Sequence, residues 1–223
     1  ELFIARRIAH NGSGNRPGVM VRIAVVAVAL SVTVMILALA VIMGFKREIT
    51  DRVTGFSAQV EVADLRSAGS IESVPVLRSE QLERTIRSAG EVVRLTPYAV
   101  KGGVVKMPDA ILGVMLKGVD GGYEWSFFRD HLLEGELPRV GDSIRTKEIL
   151  ISRSVAQEMG LAPGDKVEML FVESEKSPRR DRFKVSGIYA TGMDEFDRSV
   201  AMTDLRNVQR LADWSSDEVS GYE

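Results

Sequence analysis

Apolar and polar residues are distributed unevenly along the chain, and the longest apolar run lies near its beginning. From Ile23 to Gly44 only Ser31 and Thr33 have polar side chains, and no residue is charged. About 21 residues at ~1.5 Å per residue form a helix of roughly 31 Å, which matches the ~30 Å hydrocarbon core of a bilayer. A helix also satisfies its own backbone hydrogen bonds in hydrocarbon. The run therefore predicts a transmembrane helix.

Two other interpretations of this run are a cleaved signal peptide and a buried core helix. Ala38-Leu39-Ala40 has the small-residue pattern that signal peptidase cuts, but the apolar region of a signal peptide is usually about 7–15 residues long. A core helix normally keeps one polar stripe, which this run lacks. A membrane anchor is the favoured interpretation.

The helical pattern continues beyond the apolar run. Phe45, Ile49 and Val53 recur at intervals of four among charged residues, and Gly55 is a candidate helix stop. We expect the membrane helix to extend as a stalk, which either connects membrane and outer domain stiffly or simply begins the fold.

The remainder of the chain alternates between strand and helix patterns. Residues 58–62 alternate as in a strand, Ser79 is a candidate helix cap, and Leu82 and Ile86 are spaced as on one helix face. Aromatic residues are densest between Tyr123 and Phe128, where we expect core or a domain interface. Further predicted strands are 92–105, interrupted at Pro97 and Gly102-Gly103, 110–119, 148–151, 166–172, 182–190, 199–202 and one from Glu218, with helices at 153–159 and 205–211.

These elements predict an α+β protein, with one N-terminal transmembrane helix before a mixed α/β domain of two subdomains. Residues 1–18 are expected to form a cytoplasmic amphipathic segment and loop, residues 19–55 the membrane helix and stalk, and residues 56–223 the outer domain. Basic residues near the ends of a span favour the cytoplasm. The basic residues before the run slightly outnumber those after it: Arg6, Arg7, Arg16 and Arg22 against Lys46, Arg47 and Arg52. The N-terminus is therefore expected inside, and the domain outside.

Composition excludes some classes of protein. The formal net charge is −2, so no broad basic surface for nucleic acid is expected. The chain has no Cys, and an exported domain would therefore lack disulfides. His10 and His131 are expected on opposite sides of the membrane and cannot share a metal.

Other candidate motifs also have structural explanations. Gly118 and Gly121 lack the context of a phosphate-binding loop. Asp194, Glu195 and Asp197 could serve acid–base chemistry or bind calcium, but a charged turn after a strand is the favoured interpretation. The sequence predicts neither catalysis nor a cofactor or metal.

Several segments, in their order and spacing, resemble the lipoprotein-releasing permeases LolC and LolE, within the wider group of MacB-type and FtsX-type permeases. The resemblance covers nearly the whole chain. The segments are Phe3-Ile4-Ala5-Arg6-Arg7, Met43-Gly44-Phe45-Lys46-Arg47-Glu48, Leu161-Ala162-Pro163-Gly164-Asp165-Lys166-Val167, Val185-Ser186-Gly187-Ile188-Tyr189 and Gly192-Met193-Asp194-Glu195-Phe196-Asp197.

This resemblance implies a non-catalytic subunit of an ABC transporter in the inner membrane, with cytoplasmic ATPase subunits and a second permease subunit as partners. ATP-driven motion would reach the periplasmic domain, which extracts a lipoprotein and passes it to a carrier. Family members continue after Glu223 into three further helices, so the chain is expected to be a fragment. Alternatives are an FtsX-like scaffold that activates a cell-wall hydrolase, a MacB-like efflux permease and, last, a membrane-tethered enzyme.

The resemblance also points to a partner-binding hairpin. In LolC-type permeases a long hairpin tip catches the carrier, whereas the equivalent segment here is short and charged, and shares only a proline with a rigid apolar hook. We hypothesise that this subunit combines lipoprotein-handling duties or is not itself the carrier's docking point. The candidate residues are Glu173, Ser174, Glu175, Lys176, Ser177, Pro178, Arg179, Arg180 and Asp181.

Overall fold

The computed structural model describes residues 18–56, 58–67, 73–106, 111–141, 144–173 and 176–223. The chain divides into two compact units, Glu1–Val53 and Thr54–Glu223. The predicted amphipathic segment at the N-terminus lies outside the described residues.

The predicted membrane span and its extension are one continuous helix, α1 (Val19–Phe56). Its apolar side chains from Val19 to Ile49 are exposed on every side of the helix. The hydroxyl of Thr33 donates to the carbonyl of Ala29 at 2.8 Å, which satisfies this polar group within the helix. In the part of the chain that the structure describes, Val19–Thr50 is the one stretch of helix long and apolar enough to cross a membrane.

The second unit has the α+β composition that the sequence predicts. Its helices are α2 (Glu80–Ser88), α3 (Ser126–Asp130), α4 (Arg153–Met159), α5 (Asp194–Asp197) and α6 (Leu205–Leu211), with a 3₁₀ turn at Leu65–Ser67. Its strands are β1 (Val62–Ala63), β2 (Val76–Leu77), β3 (Pro97–Lys106), β4 (Ile111–Val119), β5 (Leu132–Gly135), β6 (Glu148–Ser152), β7 (Lys166–Glu173), β8 (Lys176–Tyr189), β9 (Val200–Asp204), β10 (Glu218–Val219) and β11 (Gly221–Tyr222).

Six of these strands pair in a closed circuit, β3–β4–β9–β6–β8–β7–β3. The β4–β9 and β6–β8 pairs are parallel and the others are antiparallel. Strand β11 pairs with the beginning of β3, at Pro97 and Tyr98, and β1 pairs with β11. Both halves of the domain, expected as two subdomains, therefore contribute to one nine-stranded sheet. A separate short ladder joins β2 to β10.

Alternate residues of these strands enter two different hydrophobic clusters. Leu116 and Ile149 belong to the larger cluster, whereas their neighbours Met115 and Leu150 lie in or against the smaller one. Because side chains alternate across a strand, the two clusters cover opposite faces of the sheet, here called the inner and outer faces. Helices α4 and α6 pack on the inner face, and the aromatic residues near α3 pack on the outer face.

The aromatic segment forms core, as expected. The rings of Tyr123 and Trp125 meet edge to face with centroids 4.9 Å apart, and Phe128 meets Tyr189 in the same way at 5.1 Å. Phe128 and Tyr189 are fully buried. Phe127 stacks on His131, whose Nδ1 lies 2.8 Å from the carbonyl oxygen of Phe127. His131 is therefore part of this packing.

Two predicted helices have the expected bounds because their caps are encoded locally. The hydroxyl of Ser152 accepts the backbone N–H of Val155 at the start of α4, and the carboxylate of Asp204 accepts that of Arg206 at the start of α6. Gly160 ends α4 in the left-handed conformation with φ +63°. Ser79 precedes α2 as predicted, but its side chain makes no capping hydrogen bond.

Two strand predictions were wrong in extent. The strand predicted at 58–62 is only the two-residue β1, because its pairing partner β11 is equally short. Gly102 and Gly103 do not interrupt β3, which pairs with β4 in unbroken register from Tyr98 to Lys106. A Cβ at Gly103 would lie 2.7 Å from Cε1 of Phe171. Gly103 therefore makes room for the ring of Phe171, as glycines within strands often do where another group approaches closely.

Candidate partner-binding hairpin

The candidate segment lies in an antiparallel hairpin formed by β7 and β8. The ladder extends from Lys166 opposite Lys184 to Glu173 opposite Lys176. The predicted nine-residue charged tip is therefore wrong in extent, because the strand resumes at Lys176. Ser174 and Glu175 lie outside the described residues, and the side chains of Glu173, Lys176 and Ser177 are likewise outside the description.

The inner face of the hairpin is anchored in the larger core. Val167, Met169 and Phe171 of β7 are buried beside Phe183 and Val185 of β8. This alternation of apolar and charged residues fixes which side chains point outward. The hairpin is thus held by its apolar face along most of its length.

Asp181 lies on the same inner face and is 6% exposed, although it was predicted as part of the tip. Its carboxylate forms ion pairs with Lys147 and with Arg210 of α6. Burial alone would raise the pKa of Asp181, but the hydrogen bond from Lys147, the backbone N–H of Arg182 and the charge of Arg210 hold it below its ordinary value. Asp181 therefore connects the hairpin to the domain.

Arg179 has a similar structural role at the end of α6. Its guanidinium pairs with Asp213 at 2.6 Å and donates to the carbonyl oxygen of Arg210 at 3.1 Å. A cation at this place complements the carbonyl groups that end a helix. Of the predicted site residues with described side chains, Asp181 and Arg179 thus contact α6 and not an open tip.

The outer face of the hairpin carries its solvent-exposed charges. Glu168 lies between Arg182, at 3.0 Å, and Arg180, at 3.7 Å, and both arginine side chains are 75% exposed. Pro178 is exposed beside them. Arg180, Arg182 and Pro178 are therefore the described residues here that an external partner could contact.

An apolar groove of about 540 Å³ adjoins the hairpin on the outer face. A row of paired residues from adjacent strands runs across the groove. Val104 of β3 pairs with Gly113 of β4 and with Leu170 of β7, and Leu170 pairs with Arg180 of β8. This groove was not predicted from the sequence. The signal was Gly102 and Gly113, because glycines within strands often mark a place that another group approaches. The lining residues are Lys101, Gly102, Gly103, Val104, Gly113, Val114, Met115, Leu170, Val172 and Ser199.

A buried ion pair beyond the groove was also not predicted. Lys117 of β4 pairs with Glu223 at 2.6 Å, and its ammonium lies 5.6 Å from the ring centroid of Tyr98 and 5.9 Å from that of Tyr123. Burial, followed by the charge of Glu223, raises the pKa of Tyr123. Alternation alone could not indicate this pair, because its partners are 106 residues apart.

The acidic cluster that was a candidate calcium site is organised as a turn. The carboxylate of Asp197 accepts the Thr191 hydroxyl at 2.8 Å, the Thr191 N–H at 3.1 Å and the Gly192 N–H at 3.2 Å. Asp194 is exposed at the start of α5. Among the described residues, no group of three or more potential ligands is arranged to hold a metal ion.

Known proteins resemble this chain in sequence. The lipoprotein-releasing system transmembrane protein LolC of Xylella fastidiosa (strain Temecula1) is 27% identical over 182 residues, which are 78% of this chain and 41% of that protein. LolC of Neisseria meningitidis serogroup B is 25% identical over 181 residues, with the same coverage of 78% and 41%. The chain thus spans less than half the length of these relatives.

Two solved structures are similar over most of their length. The periplasmic region of MacB from Actinobacillus actinomycetemcomitans has a TM-score of 0.46 and 14% identity, covering 73% of this chain and 70% of the other. The extracellular domain of the noncanonic ABC-type transporter YknZ from Gram-positive bacteria has a TM-score of 0.44 and 14% identity, covering 70% and 74%.

The family model for the MacB-like periplasmic core domain matches residues 23–221, which is most of the chain. With the LolC relatives, this match confirms the resemblance to LolC-type permeases within the MacB and FtsX group. The chain belongs to the family of the MacB-like periplasmic core domain.

Proposed function

We propose that this chain is the membrane-anchored outer part of an ABC transporter permease subunit that releases lipoproteins. The observation that carries the proposal is the family match over residues 23–221, together with relatives named as lipoprotein-releasing proteins. Helix α1 supplies the anchor in the inner membrane, with the N-terminus in the cytoplasm and the mixed α/β domain in the periplasm.

The subunit works without catalytic groups of its own in this proposal. A cytoplasmic ATPase subunit hydrolyses ATP, and a second permease subunit, identical or paralogous, completes the transporter. Helix α1 is one unbroken helix from Val19 to Phe56, which is a suitable element for transmitting motion along its axis. The periplasmic domain uses this motion to free a lipoprotein from the outer leaflet of the inner membrane.

A release assay tests the proposal directly. The full-length permease is reconstituted in liposomes with its ATPase subunit and a radiolabelled lipoprotein, and the labelled protein that becomes soluble is measured with a carrier present. We expect release that requires ATP and the permease. Release that is equal without the permease would contradict the proposal, and specific activation of a cell-wall hydrolase by the domain would favour an FtsX-like role.

The hairpin β7–β8 is proposed as the partner-binding element of this domain. Its exposed arginines, Arg180 and Arg182, favour an acidic partner surface, because complementary charge speeds association and orients the partner. Since Arg179 and Asp181 contact α6, replacing the whole candidate segment would damage the fold together with the surface. A sharper variant changes only the outward charges.

The corresponding experiment is a pull-down of the periplasmic carrier by the full-length protein. Arg180→Glu with Arg182→Glu is compared with the wild type, and Arg87→Glu, an exposed change on α2, is the matched control. Tenfold weaker carrier capture by the hairpin variant alone is expected. Equal capture by all three proteins would remove the hairpin as a docking element.

A further inference from the structure

Strands β1 and β11 form a narrow margin of the large sheet. Among the described residues β1 pairs with β11 alone, at Val62 and Ala63, and β11 pairs with β3 over two residues. Segments with few buried contacts open locally while the rest of a fold stays intact, and strands this short supply few backbone hydrogen bonds. The closure of this margin therefore depends on its side-chain contacts.

Apolar packing on the inner face holds β11 better than β1. Tyr222 of β11 is fully buried in the larger cluster, and its hydroxyl donates to the carboxylate of Glu83 on α2 at 3.1 Å. Val62 of β1 is only partly buried against the same cluster. Val60 and Leu65, on either side of β1, are largely exposed. The segment around β1 therefore contributes little to the core.

On the outer face, the buried pair of Lys117 with Glu223 holds the residue that follows β11. The ammonium of Lys117 lies 2.6 and 2.8 Å from the two carboxylate oxygens of Glu223. Glu223 also exchanges two backbone hydrogen bonds with Thr96, just before β3. Because Lys117 belongs to β4, and β3 lies between β4 and β11, the ion pair spans the width of β3. It therefore ties the margin to the middle of the sheet.

Tyr98 of β3 connects the same cluster to β1. Its ring centroid lies 5.6 Å from the ammonium of Lys117, within the range of a cation–π contact, and its hydroxyl donates to the carboxylate of Glu61, the residue before β1. Burial, followed by the hydrogen bond to Glu61, raises the pKa of Tyr98, so the hydroxyl keeps the proton that it donates. Lys117 thus acts on β11 through Glu223 and on β1 through Tyr98.

Polar contacts of this kind can hold the margin closed and still let it open. Charges that leave the interior regain their hydration, so the net cost of opening a buried ion pair is far smaller than the attraction between its partners. If one partner is removed, the other stays buried without compensation as long as the margin is closed. Loss of either partner therefore favours the open state.

We propose that the polar side chains along this margin form a latch that controls its local opening. The latch residues are Glu61, Tyr98, Lys117 and Glu223. When the latch is closed, both edge strands stay on the sheet. When it is broken, β1 and then β11 separate from β3, while the circuit of six strands keeps its structure. The inference is independent of the proposed release of lipoproteins.

The test is hydrogen–deuterium exchange of the full-length protein in nanodiscs, measured on peptides by mass spectrometry at several low urea concentrations. Exchange through local opening responds weakly to urea, whereas exchange through global unfolding responds strongly, because the response scales with the surface exposed. In the wild type we expect weak urea dependence in residues 58–64 and 220–223, and strong dependence in β6 and β8.

Two variants separate the arms of the latch. Lys117→Met disturbs both arms and should speed exchange about tenfold or more in 58–64 and in 220–223, with weak urea dependence retained. Tyr98→Phe removes only the hydroxyl that holds Glu61 and should speed exchange in 58–64 alone. If Lys117→Met does not fold, Glu223→Gln decides, since it keeps the shape of the side chain and should speed exchange in 220–223.

Tyr189→Phe is the matched control for these variants. It removes another buried tyrosine hydroxyl, which donates to the carbonyl oxygen of Val200 at 2.9 Å, away from the margin. Local opening of the margin should not change in this variant, because the latch is intact in it.

Several results would overturn the inference. These are margin exchange in the wild type with the same strong urea dependence as β6 and β8, unchanged margin exchange in Lys117→Met and Glu223→Gln, or equal acceleration of margin exchange by Tyr189→Phe. The measurement needs neither ATP nor a lipoprotein. Its failure would therefore leave the proposed release of lipoproteins standing, and failed release would leave the latch standing.

Discussion

Neighbouring residues of β8 have opposite environments in the β7–β8 hairpin. Asp181 points inward and forms two ion pairs, whereas Arg180 and Arg182 point outward and share Glu168. A buried carboxylate that loses its charge leaves its cationic partners uncompensated, while exposed pairs are screened by water. The hairpin's charges thus divide into those that hold the fold and those that are available to a partner.

Asp181→Asn is expected to lower the free energy of unfolding by about 1–3 kcal/mol, because it removes the charge that Lys147 and Arg210 share. Glu168→Gln, on the exposed face of the same hairpin, should cost about 0–1 kcal/mol. Urea unfolding of the full-length protein in detergent, followed by tryptophan fluorescence, measures both. Equal losses for the two variants would contradict this division.

The same residue gives a dependence of stability on pH. The pKa of Asp181 in the folded protein lies below its ordinary value of about 3.9. Its stabilising contribution is therefore present above pH ~4 and is lost as the pH falls through the lower, folded pKa. The loss in acid should be smaller in Asp181→Asn than in the wild type when both are measured by the same unfolding assay.

At the scale of elements, the contact of β3 with β7 closes the strand circuit at two residue pairs, Val104 with Leu170 and Val105 with Met169. Gly103 lies next to this junction and faces the ring of Phe171. The close approach of these strands therefore depends on a missing side chain. Gly113, on the neighbouring strand, has open space instead.

Gly103→Ala is expected to destabilise the protein by about 1–3 kcal/mol, since the new Cβ would overlap Phe171. Gly113→Ala should change stability by less than about 0.5 kcal/mol, as a surface substitution does. Adding Phe171→Leu to Gly103→Ala should recover part of the loss, because it removes the overlapping ring atoms. Thermal unfolding compares the wild type with these three variants. An unchanged stability of Gly103→Ala would contradict this account of the junction.

Sequence patterns predicted the elements whose signals are local. The bounds of α4 and α6 follow from Ser152, Gly160 and Asp204, which act within one turn of the helix. The course of β3 through Gly102 and Gly103 was not predictable, because its cause is the ring of Phe171 on another strand. For the same reason the groove and the pair of Lys117 with Glu223 became visible only in the folded chain.

The hairpin that contains the candidate residues was predicted in kind and not in extent. The charged stretch at 173–181 correctly indicated a hairpin, but a run of charges does not show which of them are buried. Asp181 differs from Arg180 only by the alternation of the strand, and that register is set by apolar partners such as Phe183. The partner-binding role of the hairpin stays a prediction.

At the scale of the whole molecule, the proposed orientation of the chain in the membrane is testable by chemical labelling. The sequence contains no Cys, so introduced cysteines report their own accessibility. Val93→Cys, at a position that is 97% exposed, should react with a membrane-impermeant maleimide in intact spheroplasts. Ser13→Cys should react only after the membrane is opened. The reverse pattern would invert the proposed orientation.

Strand β1 pairs with β11, since Val62 lies opposite Tyr222 and Ala63 opposite Gly221, and β11 pairs in turn with β3. Tension applied to the chain at β1 would reach β3 and β4 through this two-residue ladder. A pull directed across the ladder would separate it one residue pair at a time. The ladder could therefore yield to such a load while the larger sheet keeps its shape.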